Sequence, residues 1–206
     1  MRTTWFLACI LSTMVACGSS TMGADAGGSG PNHVDGLVNG KAFNAKEAMS
    51  NHVLSASGLG FSSDVEIIEL TDYAGACADA GNTTAPTGSL ILDLAVGIRD
   101  AQGKSTVPTG PGTFMVYSPI QGIPKDASVA TVYYGSGCQK TVSYLGISGT
   151  VTLTSVASDG GFAGTFDVMI SCAGFSSCAG PDAHITGSFS STTCTALSVN
   201  VTPTCT

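Results

Sequence analysis

Charge is scarce in this chain. Only 10% of its 206 residues are Asp, Glu, Lys or Arg, where an ordinary globular protein carries about 25%. The 7 basic residues are outnumbered by 14 acidic ones and form no cluster, which excludes nucleic acid as an expected partner because an acidic surface repels phosphate. Histidine is rare too, at His33, His52 and His184. With so few imidazoles and no C-x-x-C pair, no metal or cofactor is expected. G-x-S-x-G, H-E-x-x-H, Walker and G-x-G-x-x-G patterns are all absent. Acid/base catalysis needs positioned ionisable groups, so the shortage of them weighs against an enzyme.

What replaces charge is Gly, Ser, Thr and Ala, which suit short strands and tight turns and make poor long helices. The clearest pattern runs from Ile147 to Ser190. Ile147, Gly149, Val151 and Leu153 alternate with Ser148, Thr150, Thr152 and Thr154, the two-residue period of a half-buried strand. After a turn at Ser158-Asp159-Gly160-Gly161, Phe162, Gly164, Phe166, Val168 and Ile170 take one face and Ala163, Thr165 and Asp167 the other. Ile185, Gly187 and Phe189 repeat the pattern, giving an antiparallel meander.

Upstream, Leu37-Val38-Asn39-Gly40-Lys41-Ala42-Phe43 carries the Asn-Gly signal of a two-residue hairpin. Asp64 to Leu70 is apolar on both faces and reads as a central strand. Leu90 to Arg99 places Leu90, Leu92, Leu94, Val96 and Ile98 on one face, and Thr113 to Tyr117 and Val129 to Tyr134 are further short strands. Gly103 to Gly112 reads as a loop. Helical leanings are confined to Ala45–Asn51 and to Thr71–Gly81, a short helix begun by Thr71 or Asp72 and bearing Cys77. About eight to ten strands result. The expected class is all-β, an antiparallel β-sandwich or rolled sheet with short helical turns, stapled by disulfides.

Residues 1–16 read as an export signal, with Arg2 as the positive start and Trp5 to Val15 as an apolar run. That run is too short to span a bilayer, which takes about 20 residues. Met14-Val15-Ala16-Cys17-Gly18 resembles the lipobox of bacterial lipoproteins. The resemblance implies that Cys17 receives diacylglycerol and becomes the mature N-terminus, with membrane lipid as its partner. Two or three acyl chains anchor stably where one is marginal. Gly18, where an inner-membrane retention signal would place Asp, implies the outer membrane of a two-membrane bacterium. Ordinary secretory cleavage after Ala16 is the alternative. Residues 17–33 then form the lipidated cysteine and a Gly/Ser-rich tether with an end-to-end distance of roughly 20 Å, and residues 34–206 form one β domain.

Val38-Asn39-Gly40, Gly149 to Ser155, Gly164 to Val168 and Gly187 to Phe189, in this order and with Cys77, Cys138 and Cys194 among them, resemble a group of uncharacterised myxobacterial lipoproteins over about residues 36 to 194. The resemblance implies an envelope lipoprotein and transfers no activity. Cys172, Cys178 and Cys205 depart from the pattern.

With Cys9 in the leader and Cys17 acylated, Cys77, Cys138, Cys172, Cys178, Cys194 and Cys205 remain. An even number in an oxidising compartment points to three disulfides, for which 15 connectivities exist. Cys172 with Cys178 is favoured by the five residues between them at a hairpin end. Cys77 with Cys194 and Cys138 with Cys205 follow, and Cys194 with Cys205 is the local rival.

Other chemistry is sparser. His52 or His184 meeting an Asp and a Ser would make a hydrolase without a motif. Asp159-Gly160-Gly161 and Pro181-Asp182 offer oxygens to calcium, but turn geometry explains them as well. Tyr117, Tyr133, Tyr134 and Tyr144 suit either an aromatic platform or sheet packing. The expected function is a lipid-anchored envelope protein with a non-enzymatic binding or structural role toward a protein or glycan; the alternative is an exported hydrolase.

Overall fold

A computed structural model describes residues 31–54, 64–82, 84–136, 143–173, 178, 180–197 and 204–206. The leader, Cys17, most of the tether and Cys138 lie outside them. The elements in chain order are β1 His33–Asp35, β2 Leu37–Val38, β3 Lys41–Ala42, β4 Glu47–Val53, β5 Val65–Thr71, α1 Ala76–Asn82, β6 Thr84–Ala85, β7 Leu90–Arg99, β8 Ser105–Thr106, β9 Gly112–Val116, β10 Ser128–Ser136, β11 Ser143–Val156, β12 Phe162–Cys172, β13 Ala183–Ser190, β14 Thr192–Thr193 and β15 Thr204–Cys205. Eight of these strands have five residues or more, in line with the expected number.

The fold is all-β. The long strands belong to one curled sheet of order β1-β13-β12-β11-β9-β10-β7-β5-β4-β14, with β8 beside β7, so the rolled sheet describes it better than two facing sheets. Most pairings are antiparallel, but β10 with β9 and β14 with β4 are parallel. The curl is carried round by the chain after β13. Residues 183–190 pair with β12, Ser191 N–H donates to Phe162 O, and Cys194 N–H donates to Ser50 O on β4.

The inner face forms the core. Ile68, Leu70, Leu92, Leu94, Val132, Val151, Leu153, Val168, Ile170 and Ile185 are all buried there. The meander's alternation appears as expected from Phe162 to Phe189. Its glycines have a steric reason: Gly164 pairs across the strands with Phe189, and Gly187 with Phe166, so each ring lies over the glycine opposite it. A Cβ on Gly187 would come within 2.5 Å of Phe166 Cζ, and one on Gly164 within 2.8 Å of Phe189 Cζ.

Three expectations are corrected. Ile147 does not continue the inward row, because a bulge between Gly146 and Ser148 leaves it as the extra residue. The inward set switches from Tyr144 and Gly146 to Gly149, Val151 and Leu153. Ala45–Asn51 holds no helix. Glu47–Val53 is a strand paired along its length with β5, and cross-strand packing overrides the helical preference of Ala, Glu and Met. The helix near Cys77 starts at Ala76 rather than at Thr71 or Asp72. Glu47 Oε2 caps it, accepting from Gly75 N at 2.6 Å and Ala76 N at 3.0 Å, while Asp72 Oδ1 accepts from Leu90 N. The Asn39-Gly40 hairpin forms between β2 and β3 with φ of 54° and 74°, the left-handed pair such a turn requires.

Candidate functional site

The outer face of the sheet divides into a covered half and a bare half. Over β4, β5, β7 and β10, a second cluster of Met49, Val53, Val65, Ile67, Ala95 and Val129 packs against Ala76 of α1 and against Cys194 and Leu197. This cap is fastened by the Cys77–Cys194 disulfide, with Cα atoms 5.7 Å apart, and by Asn51 Nδ2 donating to Leu197 O at 2.8 Å.

The bare half lies on β9, β11, β12, β13 and β1, and its side chains line up in rows across the strands. One row runs Thr113, Thr152, Thr165, Ser188, His33; the next runs Met115, Thr150, Asp167, Thr186, Asp35. Neighbours in a row stand about 5 Å apart, the strand spacing. Thr113, Met115, Thr165, Asp167 and Asp35 are exposed, and the rest of both rows is partly exposed. The face is dominated by hydroxyls, and its two carboxylates each have an imidazole beside them. His184 Nε2 lies 2.7 Å from Asp167 Oδ1, and His33 Nε2 lies 3.4 Å from Asp35 Oδ2.

His33 completes a line that sequence reading missed. Its Nδ1 lies 2.8 Å from Ser188 Oγ, so Ser188, His33 and Asp35 stand in nucleophile, base and acid order. The only sequence signal is the i, i+2 spacing of His33 and Asp35, which places both on one strand face. The line lacks the other parts of a hydrolytic centre. Ser188 Oγ donates to Pro31 O at 3.1 Å, and the amides around it belong to a strand paired on both sides, so they lie in the sheet rather than converging above the hydroxyl as oxyanion donors do. Of the histidines singled out from sequence, His52 lies 4.0 Å from Asp64 and His184 pairs with Asp167. No hydrogen bond joins either ring to a serine hydroxyl among the described residues.

The calcium candidates do not converge. Asp159 Oδ1 accepts from Gly161 N within its own turn, next to the start of β12, whereas Pro181-Asp182 precedes β13 opposite the far end of β12. Among the described residues no cluster of three metal-ligating side chains occurs. The tyrosines form no platform. Tyr134 and Tyr144 are buried inside the curl with rings 6.4 Å apart and their hydroxyls unpartnered. Tyr133 points outward, its hydroxyl 3.3 Å from Ser143 Oγ, and Tyr117 packs against the second cluster.

Three carboxyls within the sheet went unremarked in the sequence, one buried and two partly buried. Glu66 is 4% exposed on the inner face, where burial pushes its pKa up to about 8. On the covered outer face, Glu69 and Asp93 stand directly opposite each other on β5 and β7. The signal was present in Asp64 to Leu70: in a strand apolar on both faces, any Glu is flanked by buried neighbours.

The Cys172–Cys178 disulfide closes the end of β12, with Cα atoms 5.9 Å apart. Both this and the Cys77–Cys194 bond are pairings expected from the sequence, and the second excludes the rival Cys194 with Cys205. Cys205 is disulfide-bonded as well; its expected partner Cys138 lies outside the described residues. Comparison with protein-family models, with curated proteins and with solved structures finds no match.

Proposed function

We propose that this chain is a bacterial envelope lipoprotein, acylated at Cys17 and held in the outer membrane, that acts by binding rather than by catalysis. The observation that carries the binding reading is the asymmetry of the outer face. One half is covered and fastened, while the other is left bare with two ordered rows of mostly polar side chains, six of them hydroxyls. Disulfides support an extracytoplasmic setting, since they persist in oxidising compartments. The lipobox resemblance supports the anchor, and the polar residues after Cys17 supply reach from the bilayer.

The chemistry of the bare face suits a neutral glycan. Hydroxyls donate and accept hydrogen bonds without imposing charge, and the acidic chain repels polyanions. The test is binding of the purified protein to neutral envelope and exopolysaccharides. Thr165→Glu with Ser188→Glu, in the middle of one row, is expected to weaken binding at least about tenfold, while Gln102→Glu on a distant exposed loop leaves it unchanged. Equal binding by the Thr165→Glu/Ser188→Glu variant, or no glycan bound by the wild type, refutes the reading.

The second reading, an exported hydrolase, draws on the Ser188, His33, Asp35 line. Covalent labelling by a fluorophosphonate that disappears in Ser188→Ala would establish it and displace the binding reading.

A further inference from the structure

The bare half carries more than its two rows of mostly polar side chains. Two further rows continue toward the Cys172 end of β12, one of Ser148, Met169 and His184, the next of Tyr133, Leu145 and Ser171. Ser148 and His184 are exposed, and the other four are partly exposed. Leu145 stands opposite Ser171 and so lies one diagonal step from Met169, within reach of a long side chain. Tyr133 stands opposite Leu145, its hydroxyl fixed 3.3 Å from Ser143 Oγ. Tyr133, Leu145 and Met169 thus form a short apolar strip beside the hydroxyls. Met115, 48% exposed, adds an apolar contact at the β9 end of the row of Thr150, Asp167 and Thr186.

The charged groups of the face suit a neutral, hydroxyl-rich ligand. Asp167 Oδ1 lies 2.7 Å from His184 Nε2 and Asp35 Oδ2 lies 3.4 Å from His33 Nε2. Each carboxylate has an imidazole at its side and keeps lone pairs with which to accept from ligand hydroxyls.

A sugar ring has two kinds of surface, hydroxyls round its rim and C–H groups on its faces. In a β-1,4-linked chain of glucose- or mannose-like rings, the rings follow one another as a flat ribbon with hydroxyls along both edges. Each ring advances by nearly the distance between neighbouring strands, about 5 Å, so a ribbon laid across the strands meets a new strand at each ring. Helical and branched glycans do not keep that step along a line. The two long rows each cross β9, β11, β12, β13 and β1. Four strand spacings make roughly 19 Å, room for about four rings.

We propose, resting on the glycan-binding reading above, that the bare face takes a neutral β-1,4-linked glycan as an extended chain lying across the strands. Thr150, Asp167 and Thr186 hold the hydroxyls along one edge of the ribbon, and Tyr133, Leu145 and Met169 pack against the C–H faces of its rings.

The test is calorimetric titration of the purified protein, disulfides intact, with β-1,4-linked glucan and mannan oligosaccharides from disaccharide to hexasaccharide, and with α-1,6-linked glucan oligosaccharides of the same lengths. Affinity for at least one β-1,4 series is expected to rise about tenfold or more from disaccharide to tetrasaccharide and to level off beyond it, with the α-1,6 series bound at least about tenfold more weakly. Leu145→Asn with Met169→Asn is expected to weaken tetrasaccharide binding about tenfold or more. Should that pair of changes prevent folding, Met169→Gln takes its place, and the length series needs no variant. Affinity independent of length, equal affinity for the α-1,6 series, unchanged binding by the variant, or binding of other neutral glycans with neither β-1,4 series bound overturns the extended chain while the glycan-binding reading stands. No neutral glycan bound at all overturns both.

Discussion

Glu66 gives the sharpest stability prediction. Its side chain lies on the inner face of β5 between His52 of β4 and Val96 of β7, and burial raises its pKa from 4.5 to about 8 by taking the carboxyl out of water. In the unfolded chain it returns to the ordinary value. Between those limits the native state holds a proton that the unfolded state has lost, so stability is complete below about pH 4.5 and falls as pH rises toward 8. At about 1.4 kcal/mol for each unit of difference, the loss across the window is about 4 to 5 kcal/mol. That is a large fraction of the roughly 5 to 15 kcal/mol that holds a domain together. Glu66→Gln keeps the size and polarity of the side chain and removes the charge. Urea denaturation of wild type and variant at pH 4.5, 6, 7 and 8, followed by far-ultraviolet circular dichroism, is the assay. Glu69 and Asp93 remain in both proteins, so their contribution cancels in the difference. The variant should gain on the wild type as pH rises, by several kcal/mol at pH 8. Parallel curves, or a wild type that strengthens with pH, would refute the reasoning.

Other substitutions test the packing and the staples. Gly187→Ala drives a methyl into Phe166 and the His33 carbonyl, to which a Cβ would come within 2.2 Å; a loss of about 3 kcal/mol or more in urea melts is expected, and a change below about 0.5 kcal/mol would contradict the close approach. Tyr144→Phe removes a buried hydroxyl that has no partner, so it should be neutral or stabilising by about 1 kcal/mol, as read from the thermal midpoint. Replacing Cys77 and Cys194 together by Ala opens a loop spanning 117 residues and should cost about 4 to 5 kcal/mol in denaturant unfolding.

The meander was legible because its strands are buried on one face only, and a two-residue period survives in sequence wherever that holds. Phe162 to Phe189 shows this, as does the Asn39-Gly40 turn, whose positive φ angles few other dipeptides tolerate. What was illegible depends on partners far along the chain. Glu47–Val53 is a strand because β5 lies beside it, and nothing local in Ala-Lys-Glu-Ala-Met-Ser-Asn says so. The bulge at Ile147 reverses which residues face inward without changing the hydrophobic pattern. The division of the outer face into a covered and a bare half follows from a cap assembled from residues 73–77 and 194–197, joined by a disulfide that was expected without any sign of what it would cover. The carboxyls of the sheet were half legible: a Glu in a strand apolar on both faces announces burial, as at Glu66, but the placing of Glu69 opposite Asp93 needs the register of β5 on β7.

The central claim is an anchored, disulfide-locked display domain, and the intact mass of the membrane-fraction protein tests it most directly, measured with and without reduction before thiol alkylation. The account predicts a chain that begins at Cys17 and carries acyl groups, with no alkylation before reduction and six thiols, from Cys77, Cys138, Cys172, Cys178, Cys194 and Cys205, alkylated after it. An unacylated chain in the soluble fraction, or thiols that react without reduction, would contradict it.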